Sequence, residues 1–306
     1  MTKVLAVDIG GTEVKAARVD AEGRIEDSRR RATPASLAGF RELAAGFVAE
    51  LGGGTSAAGV GCKGIIDTVT SYVRVLPGTV HYLEGETLSE VFGCPVAADN
   101  DARVALLGER RWGAAAGREN VVMLTLGTGV GGGVLCGGKV VRGAGGAGGH
   151  LGHYTVDPGG ALCICGNRGC LETVFSSRAI EAAAFDAMHR GVASALLEGP
   201  KPPSCQRVFQ AAMAGDAVAM GIVNHARKAL AGAIAGMILV FDPEIVILGG
   251  QIVEAGEFLL APLREEVWRR TRGLLRRDVP VVRTRLADPS GVLGAAALAL
   301  ENSTVS

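Results

Sequence analysis

The alternation of apolar and polar positions predicts most of the elements of this chain. "KVLAVDIGG" is a short, β-branched apolar run that ends on Gly10 and Gly11, and "EVKAARVD" alternates after it. Together they predict a hairpin with a glycine turn. "RIEDSRRRATP" supplies a more polar third strand. From Ser36 to Leu51 apolar residues recur at helical spacing, and Gly52 to Gly54 stop the helix. "AAGVGCKGIID" reads as a buried strand running into a glycine-containing turn. "PVAADNDARVALLGERRWG" predicts a strand, an Asn-Asp pair and a helix whose apolar face includes Val104, Leu107 and Trp112. Asn100 and Asp101 therefore fall at a strand-to-helix junction, where a polar side chain can face a cleft.

The main hinge is placed at "GAAAGR", residues 113–118. A second strand-rich unit follows, "NVVMLTLGTGVGGGVLCGGKVV", which repeats the strand, glycine turn, strand pattern of the first hairpin. Later elements are mostly helical, with a long helix from Asp216 to Phe241, a strand "EIVILGG", another helix and a last strand near Val281. The closing "GVLGAAALALE" has helix composition.

At 306 residues the chain can bury a substantial core, and its length favours two lobes with a cleft between them. Acidic and basic residues balance at 31 each, so no net field draws it to nucleic acid or to an anionic membrane. A small neutral or polar ligand suits that balance. The start "MTKVLAVDIGG" lacks the unbroken apolar region of a secretory signal, and no run is long enough to span a bilayer, so a cytoplasmic protein is expected. Seven cysteines, an odd number, argue against a disulfide framework and leave metal binding or burial as their uses.

Two turns, "DIGGT" at 8–12 and "GTGVGG" at 127–132, lie between β-like runs, one in each proposed lobe. Glycine there lets backbone N–H groups approach an anion, and Thr12 and Thr128 can add hydroxyl donors. Ordinary hairpin turns are the alternative. Residues 127–132 match G-x-G-x-x-G literally, but β-like sequence rather than a helix follows, and no acidic residue appears before Asp157. A dinucleotide fold is thereby excluded, and no P-loop motif occurs.

His153, Cys163, Cys165 and Cys170 form His-x9-Cys-x-Cys-x4-Cys, a donor set suited to tetrahedral zinc. Four protein ligands close the coordination sphere, which makes the role structural. Unrelated reduced thiols are the alternative. Asp101 is the candidate general base for transfer to an alcohol. Helix capping is its alternative role.

With "DIGGT", "NDA", "GTGVGGG", "GHLGH" and "CICGNRGCLE" in this order, the chain resembles the ROK family of repressors, open reading frames and sugar kinases, from about residue 4 to residue 300. The resemblance implies an α/β, actin-like (ribonuclease H-like) ATPase fold with two α/β lobes around a central cleft, closing on ATP and a hexose. It implies an N-terminal lobe over 1–114 with a C-terminal helix, 290–304, packed back on it. A C-terminal lobe over 115–289 would carry a zinc-binding loop, 150–172. A homodimer is also implied.

Carried over by motif, Asp8 matches the acid near magnesium and the phosphates, and Gly10, Gly11 and Thr12 match the first phosphate turn. Gly127, Thr128 and Gly129 match the second, and Gly249 and Gly250 the adenosine-side turn. Asn100 and Asp101 match the sugar-binding Asn and the catalytic Asp. His153 matches a zinc ligand that also reaches the sugar, and Glu172 an acid that binds a sugar hydroxyl. Outside the resemblance, Glu172 would be a solvated loop acid.

Three positions depart from the family pattern. Glu13 follows Thr12 where Lys or Asn is usual. "GCKGIID" replaces the usual Pro-Gly loop, leaving Gly64 as the residue that loop offers the sugar. His150 stands where glucose-type members carry Glu. A neutral imidazole can donate one hydrogen bond and accept another, so a substrate other than plain glucose is expected, and bacterial N-acetylmannosamine kinases look similar here. Simple packing of His150 is the alternative.

The reading is a 6-hydroxyl kinase of a hexose or amino sugar using ATP, magnesium and structural zinc, with N-acetylmannosamine favoured and glucose the alternative. A sugar-responsive repressor would need a helix-turn-helix segment ahead of "DIGGT", for which residue 8 leaves no room. A catalytically silent sugar sensor is the reading from another class.

Overall fold

The computed structural model describes residues 2–286 and 290–303. Spatial proximity groups them into two compact units. The first takes residues up to Arg118, Val140–Gly149 and the described residues from Thr284 onward; the second takes Glu119–Lys139 and His150–Arg283. The expected lobes divide at 114/115 and again at 289/290, where the C-terminal helix returns; the units divide after Arg118 and at Thr284, and the chain also returns to the first unit over Val140–Gly149.

The first unit begins with strands β1 (Lys3–Ile9), β2 (Glu13–Asp20) and β3 (Ile25–Ala32), followed by helix α1 (Leu37–Leu51) and strand β4 (Ala57–Cys62). A small hairpin, β5 (Ile65–Ile66) and β6 (Val73–Val75), leads to α2 (Leu88–Phe92), β7 (Val96–Asn100) and α3 (Asp101–Trp112). The sheet order is β3-β2-β1-β4-β7, antiparallel through the two hairpins and parallel from β1 to β4 to β7.

Alternation along β1 explains its sequence. Leu5, Val7 and Ile9 pack with Phe40, Phe47 and Leu51 of α1 on one face. Val4 and Ala6 pack on the other face with Val104 and Leu107 of α3 and with the C-terminal helix Ser290–Ser303. A strand covered on both faces reads as a nearly continuous apolar run. Small residues set how closely the C-terminal helix approaches. A Cβ at Gly59 of β4 would overlap the Ala295 carbonyl, and one at Gly294 would overlap the carbonyl of Val104. Residues 287–289 and 304, part of the expected boundary segment and helix end, lie outside the described residues.

The second unit holds β8 (Val121–Leu126), β9 (Val130–Cys136) and β10 (Lys139–Val140), then α4 (Ser177–His189), α5 (Cys205–Met213) and α6 (Ala217–Phe241). Strand β11 (Ile245–Gly249), α7 (Glu257–Leu275) and β12 (Val281–Arg283) complete it, in a sheet of order β10-β9-β8-β11-β12. Strand β8 is antiparallel to β9 and parallel to β11. Asp216 caps α6 by accepting the Ala219 N–H at 2.9 Å, which sets the start that the apolar pattern predicts. No helix among the described residues is long and apolar enough to cross a membrane.

Glu109, fully buried on α3, joins the segment that follows this helix to the one that returns at Thr284. Its carboxylate accepts the N–H groups of Ala114 at 2.6 Å, Leu286 at 2.9 Å and Arg285 at 3.3 Å, and the hydroxyl of Thr284. Replacing Glu109 with Ala leaves these half-buried donors without their carboxylate, and the expected loss is roughly 2–4 kcal/mol of stability, the scale of several charge-assisted hydrogen bonds lost at once. Thermal or urea unfolding of Glu109→Ala measures it; an unchanged midpoint would show that the carboxylate carries none of this load.

Candidate active site

In the first unit the parallel strands β1, β4 and β7 finish on one level, because Ile9 pairs with Cys62 and Cys62 with Asn100. The carboxyl edge of a parallel sheet is where α/β folds bind ligands, since loops and helix starts open there. Gly10 donates its N–H to the Glu13 carbonyl at 3.1 Å and accepts the Thr33 hydroxyl at 2.8 Å; a Cβ at Gly10 would crowd that Glu13 oxygen. Gly11 packs against the Thr79 side chain, and Gly11 and Thr12 are exposed.

Gly64, with φ +92°, presses so close to the Val75 carbonyl that no side chain fits. Its own carbonyl accepts the Asn100 side-chain amide at 3.0 Å. The other end of that amide accepts Ala102 N–H at 3.1 Å and Arg103 N–H at 3.5 Å, so Asn100 is the cap of α3. The capping role that the sequence leaves open for Asp101 thus falls to its neighbour. Asp101 is the first helical residue, half-buried, and its Oδ1 accepts the Ala102 N–H at 2.9 Å. A carboxylate at this end is favoured by the helix dipole.

Asp8 lies on the β1 face turned toward the C-terminal helix, where a Cβ at Gly291 would overlap its carboxylate. The buried Cys62 thiol is pushed up, by burial first and then by the charges of Asp101 and Asp8. Both acids therefore act on one thiol at the end of β4. The structure thus gathers Asp8, Gly10, Gly11, Thr12, Gly64, Asn100 and Asp101 along one sheet edge.

In the second unit the turn between β8 and β9 is closed by Gly127 N–H on the Gly129 carbonyl at 3.0 Å, and the Gly127 carbonyl accepts Ser177 N–H at 2.8 Å. Thr128 is exposed. Glu172 accepts the Val130 N–H at 3.0 Å, and a Cβ at Gly129 would overlap its carboxylate. With a side chain only 14 % exposed and Arg178 at 3.7 Å, Glu172 is not a solvated loop acid. Gly249 ends β11 opposite Thr125 of β8, and Gly250, with φ +90°, abuts the Leu126 carbonyl where no Cβ fits. The two turns therefore open from the carboxyl ends of neighbouring parallel strands.

The His153, Cys163, Cys165 and Cys170 donor atoms all lie within 4.8 Å of one another. Cys163 Sγ is 3.4 Å from His153 Nδ1, and Cys165 Sγ is 3.7 Å from Cys170 Sγ. Zinc bonds of about 2.3 Å to sulfur and about 2.0–2.1 Å to nitrogen require tetrahedral edges of about 3.5–3.8 Å, so the donor set fits zinc. Burial pushes the Cys170 thiol up to about 12, with the neighbouring thiols adding to it, and burial also raises Cys163. Cys165, the exposed member, is held low although partial desolvation raises it, because the Asn167 N–H and the two other thiols donate to it. Such a set releases protons when a metal takes their place. His150 stacks on His153, with ring centroids 6.3 Å apart and planes 15° from parallel, and its carbonyl accepts the His153 N–H at 3.0 Å.

Three charged residues around Asn100 are not indicated by any motif. Asp99 and Arg103 are fully buried, and Arg142 reaches Asp99 from 43 positions along the chain. The i,i+4 spacing of Asp99 and Arg103 is the one local signal they leave.

The ROK family profile matches residues 4–302 of the chain. The chain is 36% identical to the glucokinase of Thermotoga maritima, over 98% of both chains. It is 34% identical to the N-acetylmannosamine kinase of Escherichia fergusonii, covering 96% of this chain and 97% of that one. In structure it is similar to a ROK family glucokinase from Streptomyces griseus solved with glucose and AMPPNP, at 34% identity and a TM-score of 0.83, covering 98% and 99% of the two chains. The shared architecture is the actin-like ATPase fold.

The donor geometry predicts one zinc per chain. Cys170→Ser should bring zinc content well below one equivalent by elemental analysis and lower the thermal midpoint, because the metal organises a loop with little regular structure. Full zinc content in that variant would exclude Cys170 as a ligand.

Proposed function

The chain belongs to the ROK family, and on that premise we propose that it is an ATP-dependent sugar kinase acting on the 6-hydroxyl of a hexose or amino sugar. One observation carries the reading: the Asp8 turn, Gly64, Asn100 and Asp101 share the carboxyl edge of one sheet. Phosphoryl transfer is mostly positioning and charge stabilisation, and it needs an acceptor for the hydroxyl proton. Asp101, held at the first position of α3 by the Asn100 cap, is that acceptor.

The turns of Gly10, Gly11 and Thr12, and of Gly127, Thr128 and Gly129, would face the phosphates of ATP, with the N–H groups of Gly10 and Gly127 closing the turns and the remaining N–H groups and the two threonine hydroxyls turned to the ligand. Gly249 and Gly250 would flank the adenosine. Asp8 offers the single hard oxygen ligand that magnesium accepts alongside phosphates and water, and the ion would neutralise charge on the transferring group. Zinc, with four protein ligands, has no open position and no chemical step; it would hold His153 and, through the adjoining loop, Glu172 for the sugar.

Gly64, Asn100, His150, His153 and Glu172 would bind the sugar. His150 supports an N-acetylmannosamine-like substrate, since an imidazole can donate to an acetamido oxygen where a carboxylate would repel it. The glucokinase relatives support glucose as the alternative. A silent sensor is not favoured, because the relatives at 33–36% identity bear kinase names.

Changing Asp101 to Asn keeps the shape of the helix start and removes the proton acceptor. Turnover should fall by about 10²- to 10⁴-fold while sugar affinity, measured by calorimetry, stays close to the parent value. Near-normal turnover would sink the assignment of Asp101 as base.

A further inference from the structure

The residues 142–149, "RGAGGAGG", contain five glycines and no large apolar side chain, yet they form one defined turn that belongs to the first unit and ends next to His150. Gly143, Gly146 and Gly149 adopt φ of +72°, +77° and +85°, and Gly148 N–H bonds the Arg142 carbonyl at 2.8 Å. Such a segment loses much conformational entropy on ordering and gains little from burial. Its order must come from elsewhere.

It comes from a buried guanidinium. Arg103 Nη1 donates to the Gly146 carbonyl at 2.9 Å and to the Gly148 carbonyl at 2.8 Å. Its Nε donates to Asp99 Oδ1 at 2.7 Å, and both side chains are fully buried. Asp99 Oδ1 also accepts the Asn100 N–H at 2.7 Å, and Asp99 Oδ2 accepts Arg142 Nε at 2.8 Å. One carboxylate and two guanidinium groups thus tie the Asn100–Asp101 turn to both ends of the glycine segment.

A buried ion pair is a poor way to gain stability, because apolar residues of similar volume often do as well, but it specifies one arrangement. We propose that Arg103 is a positioning residue of the sugar site: with Asp99 and Arg142 it fixes the 142–149 turn, and through it the placement of His150, so that it governs which sugar is accepted. This specificity role rests on the sugar kinase reading. Arginine is required because its planar fork serves two carbonyls and a carboxylate at once, which a lysine ammonium cannot reproduce.

The test compares the parent with Arg103→Met, Arg103→Lys and Arg142→Gln, all zinc-loaded. The last removes one half-buried arm and leaves the buried pair intact, so it guards against a variant that fails to fold. Amide hydrogen exchange of residues 142–149 is read without substrate, and kinetics are read with N-acetylmannosamine and glucose. Protection of the segment should be lost in Arg103→Met and partly kept in Arg103→Lys and Arg142→Gln. In Arg103→Met the sugar KM should rise about 10- to 100-fold, the size of a small misplacement in a preorganised site, and the preference between the two sugars should change. The KM for ATP should stay within about twofold, since the phosphate turns are untouched.

Unchanged amide protection would overturn the clamp whatever the activity does. Lost protection with unaltered sugar KM and preference would overturn its role in specificity. If the parent released no ADP with any sugar, the kinase reading and the specificity role would fall together, while the exchange result would still decide whether the clamp orders the segment.

Discussion

The shared end level of three parallel strands is the constraint on which the first unit depends. Once Ile9, Cys62 and Asn100 are in register, every residue that follows them must turn at the same edge of the sheet. The glycine turn after β1, Gly64 after β4 and the start of α3 after β7 are then neighbours without any further design. Their backbone groups cannot continue a ladder, so they must find other partners or remain available to a ligand. The Asn100 amide spends both of its ends in this way, on Gly64 and on the first turn of α3. That leaves Asp101 placed by the cap rather than serving as one.

Close backbone approach is the second theme, and it explains the positions of individual glycines better than flexibility does. Gly59 and Gly294 bring the C-terminal helix onto β4 and α3, Gly291 leaves room for the Asp8 carboxylate, and Gly129 leaves room for that of Glu172. At each of these positions a Cβ would overlap the neighbouring group. The buried polar groups Glu109, Asp99 and Arg103 are all hydrogen-bonded to chain segments distant in sequence. They specify where returning segments sit, a job that apolar packing alone does not perform on glycine-rich backbone.

How much of this is legible in the sequence follows from the range of each interaction. Strand β1 and its hairpin, the starts of α3 and α6, and the grouping of His153 with three cysteines are readable because periodicity and Cys spacing act within about twenty residues. The resemblance to ROK sugar kinases supplied the candidate roles of Asp8, Gly250 and Glu172, which no local pattern supports by itself. The resemblance implied the return of the C-terminal helix to the first unit, but the return of residues 140–149 was not legible, because it runs through Asp99, Arg103 and Arg142, which are brought together only by folding. Glu172 likewise looks like a loop acid until its bond to Val130, 42 positions away, is seen.

The central claim is sugar phosphorylation, and it is tested most directly by measuring ADP release from ATP by the zinc-loaded protein across a panel of hexoses and 2-acetamido hexoses. The account predicts sugar-dependent release, greatest with N-acetylmannosamine and with the new phosphate on the 6-hydroxyl. No sugar-dependent release with any member of the panel would contradict it.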